Sequence, residues 1–393
     1  MSDAFIVSAV RTPIGKFQGA LEKLAAPQLG AVAVREAVKR AALTGDDIDE
    51  VFMGCVLQAG LGQNAARQAA IHGGISPRAG AVTVNKVCGS GLKSILFAAQ
   101  AVALGDAKVC VAGGMESMSN APYLIPDARR GSRLGHTKLL DAMIHDGLWD
   151  GYNDFHMGIT CELVAEKHKV SRADMDAFSV ASQQKAVAAI KAGRFKKEIV
   201  GVEVKAGKGE TKLVETDEGP REDATAESLA KLKPAFKPDG VITPGNSSTI
   251  NDGAAAVVVM SGDEVKARGA KPIARITGYA VGGLEPKWVM MTPVPAVQNW
   301  EKKTGLKRGD MDLIELNEAF ACQSVAVMRE LNLDPAKVNV NGGAVALGHP
   351  IGCSGARIVV TLLHALADRR LKRGLATLCM GGGNGLAMSV ELL

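Results

Sequence analysis

Three residues of this 393-residue chain could do thiol chemistry together: Cys88 in "VNKVCGSGLKS", His349 in "NGGAVALGHPIGCSGAR" and Cys379 in "LCMGGGNGLA". Each sits beside glycines. Around Cys88 the pattern reads as a strand ("AVTVNKV"), a turn with Gly89 and Gly91, and a helix ("LKSILFAAQAVAL") whose apolar residues recur on a helical period. A thiol there lies at a helix N-terminus, where backbone N–H groups and the helix dipole favour a thiolate. The neighbouring glycines would admit an acyl group and backbone donors. A small cysteine packed in the core accounts for the same local pattern equally well. The chain has no GxSxG elbow and no Walker loop, and "GSGLKS" is a poor dinucleotide fingerprint.

A thiol nucleophile needs a base, and the chain offers seven histidines. His349 stands out because glycines surround it, although a structural corner would look the same. His364 in "TLLHALADRR" reads as an ordinary helix residue. Cys379 ends a buried strand that runs into consecutive glycines, whose exposed N–H groups suit an oxyanion hole. It reads either as a second thiol working as acid and base or as a free core cysteine. Asn317 and Glu318 in "ELNEAFA" fall where a strand meets a helix, and locally they read as helix caps.

The elements that must hold these residues follow from the apolar pattern. Val/Ala-rich runs such as "AFIVSAV" and "EVFMGCV" alternate with amphipathic segments such as "LGAVAVREAVKRAAL", which predicts an α/β layered fold. The two ends of the chain also resemble each other at an offset of roughly 260 residues. "GDDIDEVFMG" parallels "GDMDLIELNE", "AKVCVAGGMES" parallels "LATLCMGGGNG", and "NDGAAAVVVMS" parallels the closing "NGLAMSVELL". The Cys88 turn and the His349 turn occupy equivalent places in the two copies, so quasi-twofold packing would bring them together. Between the copies lies a different segment, about 120–248, with a helix expected after Ser171 as N-cap and the charged run "KAGKGETKLVETDEGPREDATAES". It reads as an insertion that carries binding or assembly surfaces.

Composition narrows the function classes. A formal charge of only +5, with three Trp and three Tyr, leaves little for a nucleic-acid surface. Seven scattered cysteines with no CxxC pair and no zinc-type Cys/His spacing suggest reduced thiols in a cytosol-like compartment and no metal. The opening "MSDAFIVSAVRTPIGKF" reads as a first strand rather than a signal peptide or membrane span, and "SVELL" carries no peroxisomal or retention signal. The expectation is a cytoplasmic protein without a membrane partner.

Taken together, "VRTPIGKF", "NKVCGSGLKS", "GGMESMS", "HMGIT", "NSSTINDGAAAVV", "NEAFA", "GGAVALGHPIGCSGAR" and "CMGGGNG" resemble the thiolase family, in its short-chain biosynthetic branch, over essentially the whole chain. The resemblance implies two duplicated βαβαβαββ halves forming a five-layered αβαβα core, plus an inserted loop domain. The halves would cover 1–119 with 249–270, and 271–393; the insertion, for CoA binding and tetramerisation, would cover 120–248. It implies Cys88 as the acyl-carrying nucleophile, His349 as its base and Cys379 as the acid/base thiol. Asn317 would hold a water that forms one oxyanion hole with His349, and the N–H groups of Cys88 and Gly381 would form the other.

For coenzyme A, the resemblance implies Leu148, His156 and Met157 along the pantetheine channel. Arg221 would meet the nucleotide phosphate, Ala235 and Phe236 the adenine end, and Ser248 the pantetheine, with Ala319 and Phe320 closing the other side. Without the resemblance, His156 reads as a satisfied loop histidine and Arg221 as a solvated charge. The implied partners are acetyl-CoA, acetoacetyl-CoA and CoA as substrates and products, with no separate cofactor. The implied assembly is a homotetramer of tight dimers, joined through the loop "PYLIPDARRGSRLGHTKLLDAM". Longer-chain 3-ketoacyl-CoA cleavage, a ketoacyl synthase and a noncatalytic carrier are the rival readings. The sequence departs from the family pattern at "KWVMMTPVPA", where Val289, Met290, Met291 and Thr292 stand near the acyl end of the pocket, and at Pro244.

Overall fold

The computed structural model describes residues 3–393. The Val- and Ala-rich runs form strands, and the strands build two half-sheets of the same design. In the first, the spatial order is Gly80–Val84, Glu50–Gly54, Val109–Ser117, Asn251–Ser261 and Ala4–Arg11. The first three of these run parallel and the remaining neighbours antiparallel. In the second, Leu313–Leu316, Arg373–Met380, Asn384–Leu392 and Ala274–Gly283 repeat that order with the same orientations. An Ile314–Val338 bridge stands where Gly80–Val84 pairs in the first half. The halves meet through a short antiparallel junction, Phe5 with Arg275 and Ile6 with Ala274. The repeat read from the sequence is therefore a strand-for-strand duplication.

Strands buried on both faces read as continuous apolar runs. Within Asn251–Ser261, Ala255, Val257 and Val259 face the middle of the molecule, while Ala256, Val258 and Met260 face the outer helices Ala26–Arg40 and Ala65–His72. On the other half-sheet the outer layer comprises Pro293–Thr304 and Ala321–Leu331, with Trp300 wholly buried. Between the sheets lie two central helices, Ser90–Leu104 and Ile351–Arg369, which complete five layers. By length and composition alone the stretches Val87–Leu104 and Ile351–Arg369 could cross a bilayer, yet here they are packed largely inside the molecule.

The central helices decide where the chemistry sits. They cross at glycines: a Cβ on Gly91 would lie 2.7 Å from the Ala356 nitrogen, and one on Gly355 would lie 2.5 Å from the Leu92 nitrogen. Such backbone-to-backbone approach needs glycine on both sides. It pins the two N-termini together, so the turns leading into them must be neighbours. Helix Arg172–Lys191, with Ser171 as N-cap accepting the Asp174 N–H, docks on the second half. A buried ion cluster ties the Glu198–Asp217 region to the first strand. Arg11 donates Nε to Glu198 at 2.5 Å and both terminal nitrogens to Asp217 at 2.7 and 2.8 Å.

Candidate active site

The expected strand before Cys88 stops early, at Val84, and the chain turns sharply before helix Ser90–Leu104. Val87 is forced to φ +48°, a costly conformation for a β-branched residue. Local hydrogen bonds hold it there. Val87 N–H donates to Asn85 Oδ1 at 3.0 Å, Lys86 N–H to Ser90 Oγ at 2.8 Å, and the Ser90 hydroxyl to the Val87 carbonyl at 2.6 Å. The turn presents Cys88, half-open, to an internal cavity. Glycine is required next to it, because a Cβ on Gly89 would overlap the Met380 side chain.

His349 enters from the equivalent turn. Gly348 adopts φ +110°, and a Cβ there would collide with the Asn251 amide. Asn251 Oδ1 accepts the His349 N–H at 2.9 Å. The ring's Nδ1 lies 2.6 Å from Ser354 Oγ, and that hydroxyl donates to the Pro350 carbonyl at 2.9 Å. With its only proton so committed, Ser354 accepts from Nδ1–H. The free electron pair then sits on Nε2, which is buried and has no hydrogen-bond partner among the described residues. Burial, reinforced by the Arg357 charge, pushes the imidazole down to about 3, so it is neutral at physiological pH.

That shift has a consequence for stability. The folded His349 refuses a proton that the unfolded residue accepts below about pH 6.5, so its contribution to stability is lost as pH falls from 6.5 towards 3. Lowering pH from 7 to 5 is expected to cost wild type about 2 kcal/mol more than His349→Gln, measured by urea unfolding at both pH values. Equal losses in the two proteins would contradict the neutral imidazole.

Cys379 is the last residue but one of its strand and shares the cavity with Cys88 and His349. Burial raises its thiol, and proximity to Cys88 raises it further. Burial likewise pushes Cys88 up to about 12, against the pull of the N–H groups of Gly381 and of Cys88 itself, which point at the sulfur. Gly381 faces the Val87 side chain, 3.1 Å from where a Cβ would stand. Both thiols are therefore protonated at rest, beside an unprotonated base.

The cavity is about 280 Å³ and mostly apolar, and it also takes in Leu148, His156, Met157, Phe236, Ser248, Ala319 and Phe320. His156 accepts the Gly158 N–H through Nδ1 at 3.0 Å and stacks on Phe236 with ring centroids 4.8 Å apart. Phe236 in turn meets Phe320 edge-on at 6.3 Å. The Ser248 N–H donates to the Ala319 carbonyl at 3.1 Å, which stitches the opposite walls together. Phe236, Ser247 and Ser248 also border an outer groove that includes Lys16, Phe17, Ala235 and Pro244, so the cavity opens to the surface past these residues.

Two expected residues lie elsewhere. Arg221 is exposed and lines neither hollow; its backbone N–H donates to Gln183 Oε1 at 2.8 Å. Asn317 is wholly buried and outside the cavity lining, and neither polar atom of its side-chain amide has a partner among the described residues. Nor are Asn317 and Glu318 helix caps. The helix begins after Phe320, and Glu318 accepts from Ser182 Oγ, Asn339 Nδ2 and the Val345 N–H, tying three segments beneath the site. Among the described residues no cluster of three metal-ligating side chains occurs.

Sequence reading passed over Ser354, Asn251 and Glu116. Ser354 carried a usable signal, since a serine in the first turn of the helix after "GHP" faces back towards the histidine. Glu116 accepts N–H bonds from Val56, Leu57 and Gly352 and so joins the two halves below Cys88. Burial pushes it up to about 7.

Two thiols and an unprotonated imidazole around one apolar cavity are the equipment of acyl transfer through cysteine. Residues 4–263 match the family described as thiolase, N-terminal domain, and residues 270–392 match thiolase, C-terminal domain. The chain belongs to the thiolase family. Among its relatives, the acetyl-CoA acetyltransferase of Pseudomonas aeruginosa is 55% identical across 99% of both chains. That of Cupriavidus necator is 52% identical across 100% of both. The crystal structure of the Bacillus anthracis acetyl-CoA acetyltransferase superposes with a TM-score of 0.98 at 42% identity, covering 100% of this chain and 99% of that one.

Proposed function

We propose that the protein is an acetyl-CoA C-acetyltransferase, joining two acetyl-CoA reversibly into acetoacetyl-CoA and CoA through an acetyl group on Cys88. The observation that carries this reading is the meeting of Cys88, Cys379 and the partnerless Nε2 of His349 in one cavity. Nε2 takes the Cys88 proton as the sulfur attacks the thioester carbonyl. The CoA thiolate leaves with the proton of Cys379, so that imidazolium and Cys379 thiolate remain as a neutral pair. The thiolate then removes a proton from the methyl of a second acetyl-CoA. The resulting carbanion attacks the Cys88 thioester, and the Cys88 sulfur leaves and recovers its proton from His349.

Burial suits this division of labour. A thiol whose pKa is raised by its surroundings is a poor acid but, once deprotonated, a strong base, as abstraction from a methyl group demands. The Gly381 and Cys88 N–H groups, which point at the Cys88 sulfur, support a role for them in holding one developing oxyanion beside it, and the amide of Asn317 suits a water that would complete the other with His349. The names carried by the close relatives favour this activity over cleavage of longer 3-ketoacyl chains. Thiolysis of acetoacetyl-CoA by CoA, followed as acetyl-CoA formed, tests the reading; no turnover by the folded protein would end it.

Ser354 fixes which nitrogen of His349 is the base. Ser354→Ala leaves a buried Nδ1–H without an acceptor and is expected to lower kcat/KM about tenfold, while Ser354→Thr keeps most activity. The pH–rate profile reads the change in the imidazole directly. Cys-bound acyl chemistry also suits a reducing compartment, and all seven cysteines are free, which supports a cytoplasmic setting. Exposed Tyr123, Ile125, Leu134 and Leu139, all within one loop, support assembly into a homotetramer.

A further inference from the structure

Glu116 is wholly buried on strand Val109–Ser117 and lies outside the cavity lining, so the acyl-transfer steps written above make no use of it. Its carboxylate is nevertheless fully engaged. Oε2 accepts the Val56 N–H at 3.1 Å and the Gly352 N–H at 2.8 Å, while Oε1 accepts the Leu57 N–H at 3.1 Å and the Cys55 S–H at 3.6 Å. All four partners are donors. A buried carboxylate is costly unless it is hydrogen-bonded, and this one is set between two segments from opposite halves of the chain.

Both segments lead to the reacting groups. Cys55 follows strand Glu50–Gly54, whose end abuts the start of the Cys88 helix: a Cβ on Gly54 would lie 2.6 Å from the Gly91 nitrogen. Gly352 stands three residues after His349, in the first turn of helix Ile351–Arg369. Val56, Leu57 and Ile351 form one apolar cluster, with Cys88 packed against it. A Cβ on Gly352 would lie 2.6 Å from Glu116 Oε2, and one on Gly114 would overlap the Gly352 carbonyl, so the helix start rests directly on the strand that carries Glu116. The Gly91–Gly355 crossing sets how close the two central helices come, yet a crossing alone leaves each helix free to turn about its axis. Anchoring the Gly352 N–H removes that freedom, and a carboxylate suits the positive end of the helix dipole. An amide of the same shape cannot do this, because an NH2 group in place of either oxygen faces two of the four donors.

We propose that Glu116 is a positioning residue for the reaction: its carboxylate fastens the His349 turn to the segment beside Cys88 and holds the imidazole where it can take the proton of the Cys88 thiol. The inference rests on the acyl-transfer activity proposed above and adds to it a residue that acts through His349 without touching substrate. A reacting group displaced by about 1 Å can cost about a hundredfold in rate. The mouth of the cavity, at Phe236 and Ser248, is built from other segments, so substrate binding stays as it is when Glu116 changes.

The test compares wild type, Glu116→Gln and Cys55→Ala at pH 8, above the value of about 7 to which burial raises the Glu116 carboxyl. Two rates are read: kcat and KM for thiolysis of acetoacetyl-CoA, and the alkylation of Cys88 by iodoacetamide, which reports the Cys88–His349 pair without CoA. Glu116→Gln is expected to lower kcat and the alkylation rate together by about tenfold to hundredfold, with KM for CoA within about threefold of wild type and alkylation still going to completion. A purely structural role would instead lower the alkylated fraction and leave its rate alone. Cys55→Ala removes a neighbour of the carboxylate but keeps the three N–H bonds, and both rates are expected to stay within about threefold of wild type. Should Glu116→Gln not fold, Glu116→Asp carries the same test, since its carboxylate is drawn back by one methylene from donors it must span, and a loss of about tenfold is expected. An unchanged alkylation rate in a folded Glu116 variant overturns the assignment, as does an equal loss in Cys55→Ala. Wild type that fails to cleave acetoacetyl-CoA overturns instead the activity on which it rests.

Discussion

Cys88→Ala is expected to lower both condensation and thiolysis by about 10⁴-fold or more, with nothing else in the cavity able to substitute. The substitution deletes one sulfur from a side chain half-open to the cavity, where the Gly381 and Cys88 N–H groups lose only a weak acceptor, so the fold should be kept. Val87 would still sit at φ +48°, since the bonds that hold it come from Asn85 and Ser90. Cys379 lies in the same cavity, but its sulfur is met by its own N–H, whereas Cys88 has a second backbone donor. The Gly381 N–H points at the Cys88 sulfur. CoA binding, measured by calorimetry, should stay within about threefold of wild type, which separates loss of chemistry from loss of the site. Activity above about 1% of wild type would remove Cys88 from the mechanism.

Cys379→Ser is expected to divide the reaction. Acetyl transfer from acetyl-CoA to Cys88 uses His349 as base and should persist, more slowly, because water or His349 can protonate the leaving CoA. Proton abstraction from the second acetyl-CoA has no such substitute. A serine hydroxyl in the same apolar surroundings stays protonated at any accessible pH, so condensation should fall about 10²- to 10⁴-fold, the usual worth of a positioned general base. The readouts are acetyl incorporation into protein and acetoacetyl-CoA formation, compared in the same samples. A variant that loses both equally would make Cys379 indispensable to the first step and contradict this division.

Much of this was legible in the sequence because the chain says it twice. Strand, glycine turn and helix recur in both halves, and that repeat places Cys88 and His349 in equivalent turns. The structure adds the physical cause, the Gly91–Gly355 crossing that pins the two helix starts together. Neither glycine looks different from a dozen others in the sequence, since close approach is a property of the partner surface. Val87 could not have been found this way. A valine reads as strand, and its left-handed backbone is imposed by hydrogen bonds from Asn85 and Ser90.

The same limit applies to charges and protonation. Asn317 and Glu318 carry cap-forming residue types, and only tertiary contacts with Ser182, Asn339 and Val345 turn Glu318 into a buried tether. The neutrality of His349 depends on enclosure by residues from both halves. Arg221, by contrast, stays at the surface, where a solvated guanidinium needs no protein partner. Sequence can nominate a cation for a phosphate, but the contact itself requires the ligand.

The central claim is that Cys88 carries the acetyl group, and trapping that intermediate tests it most directly. Cys379→Ser, incubated with acetyl-CoA, quenched in acid and digested, is predicted to carry a single acetyl group per chain on the peptide containing Cys88, and the double variant with Cys88→Ala is predicted to carry none. Acetylation at another residue, or equal labelling with and without Cys88, would contradict the account.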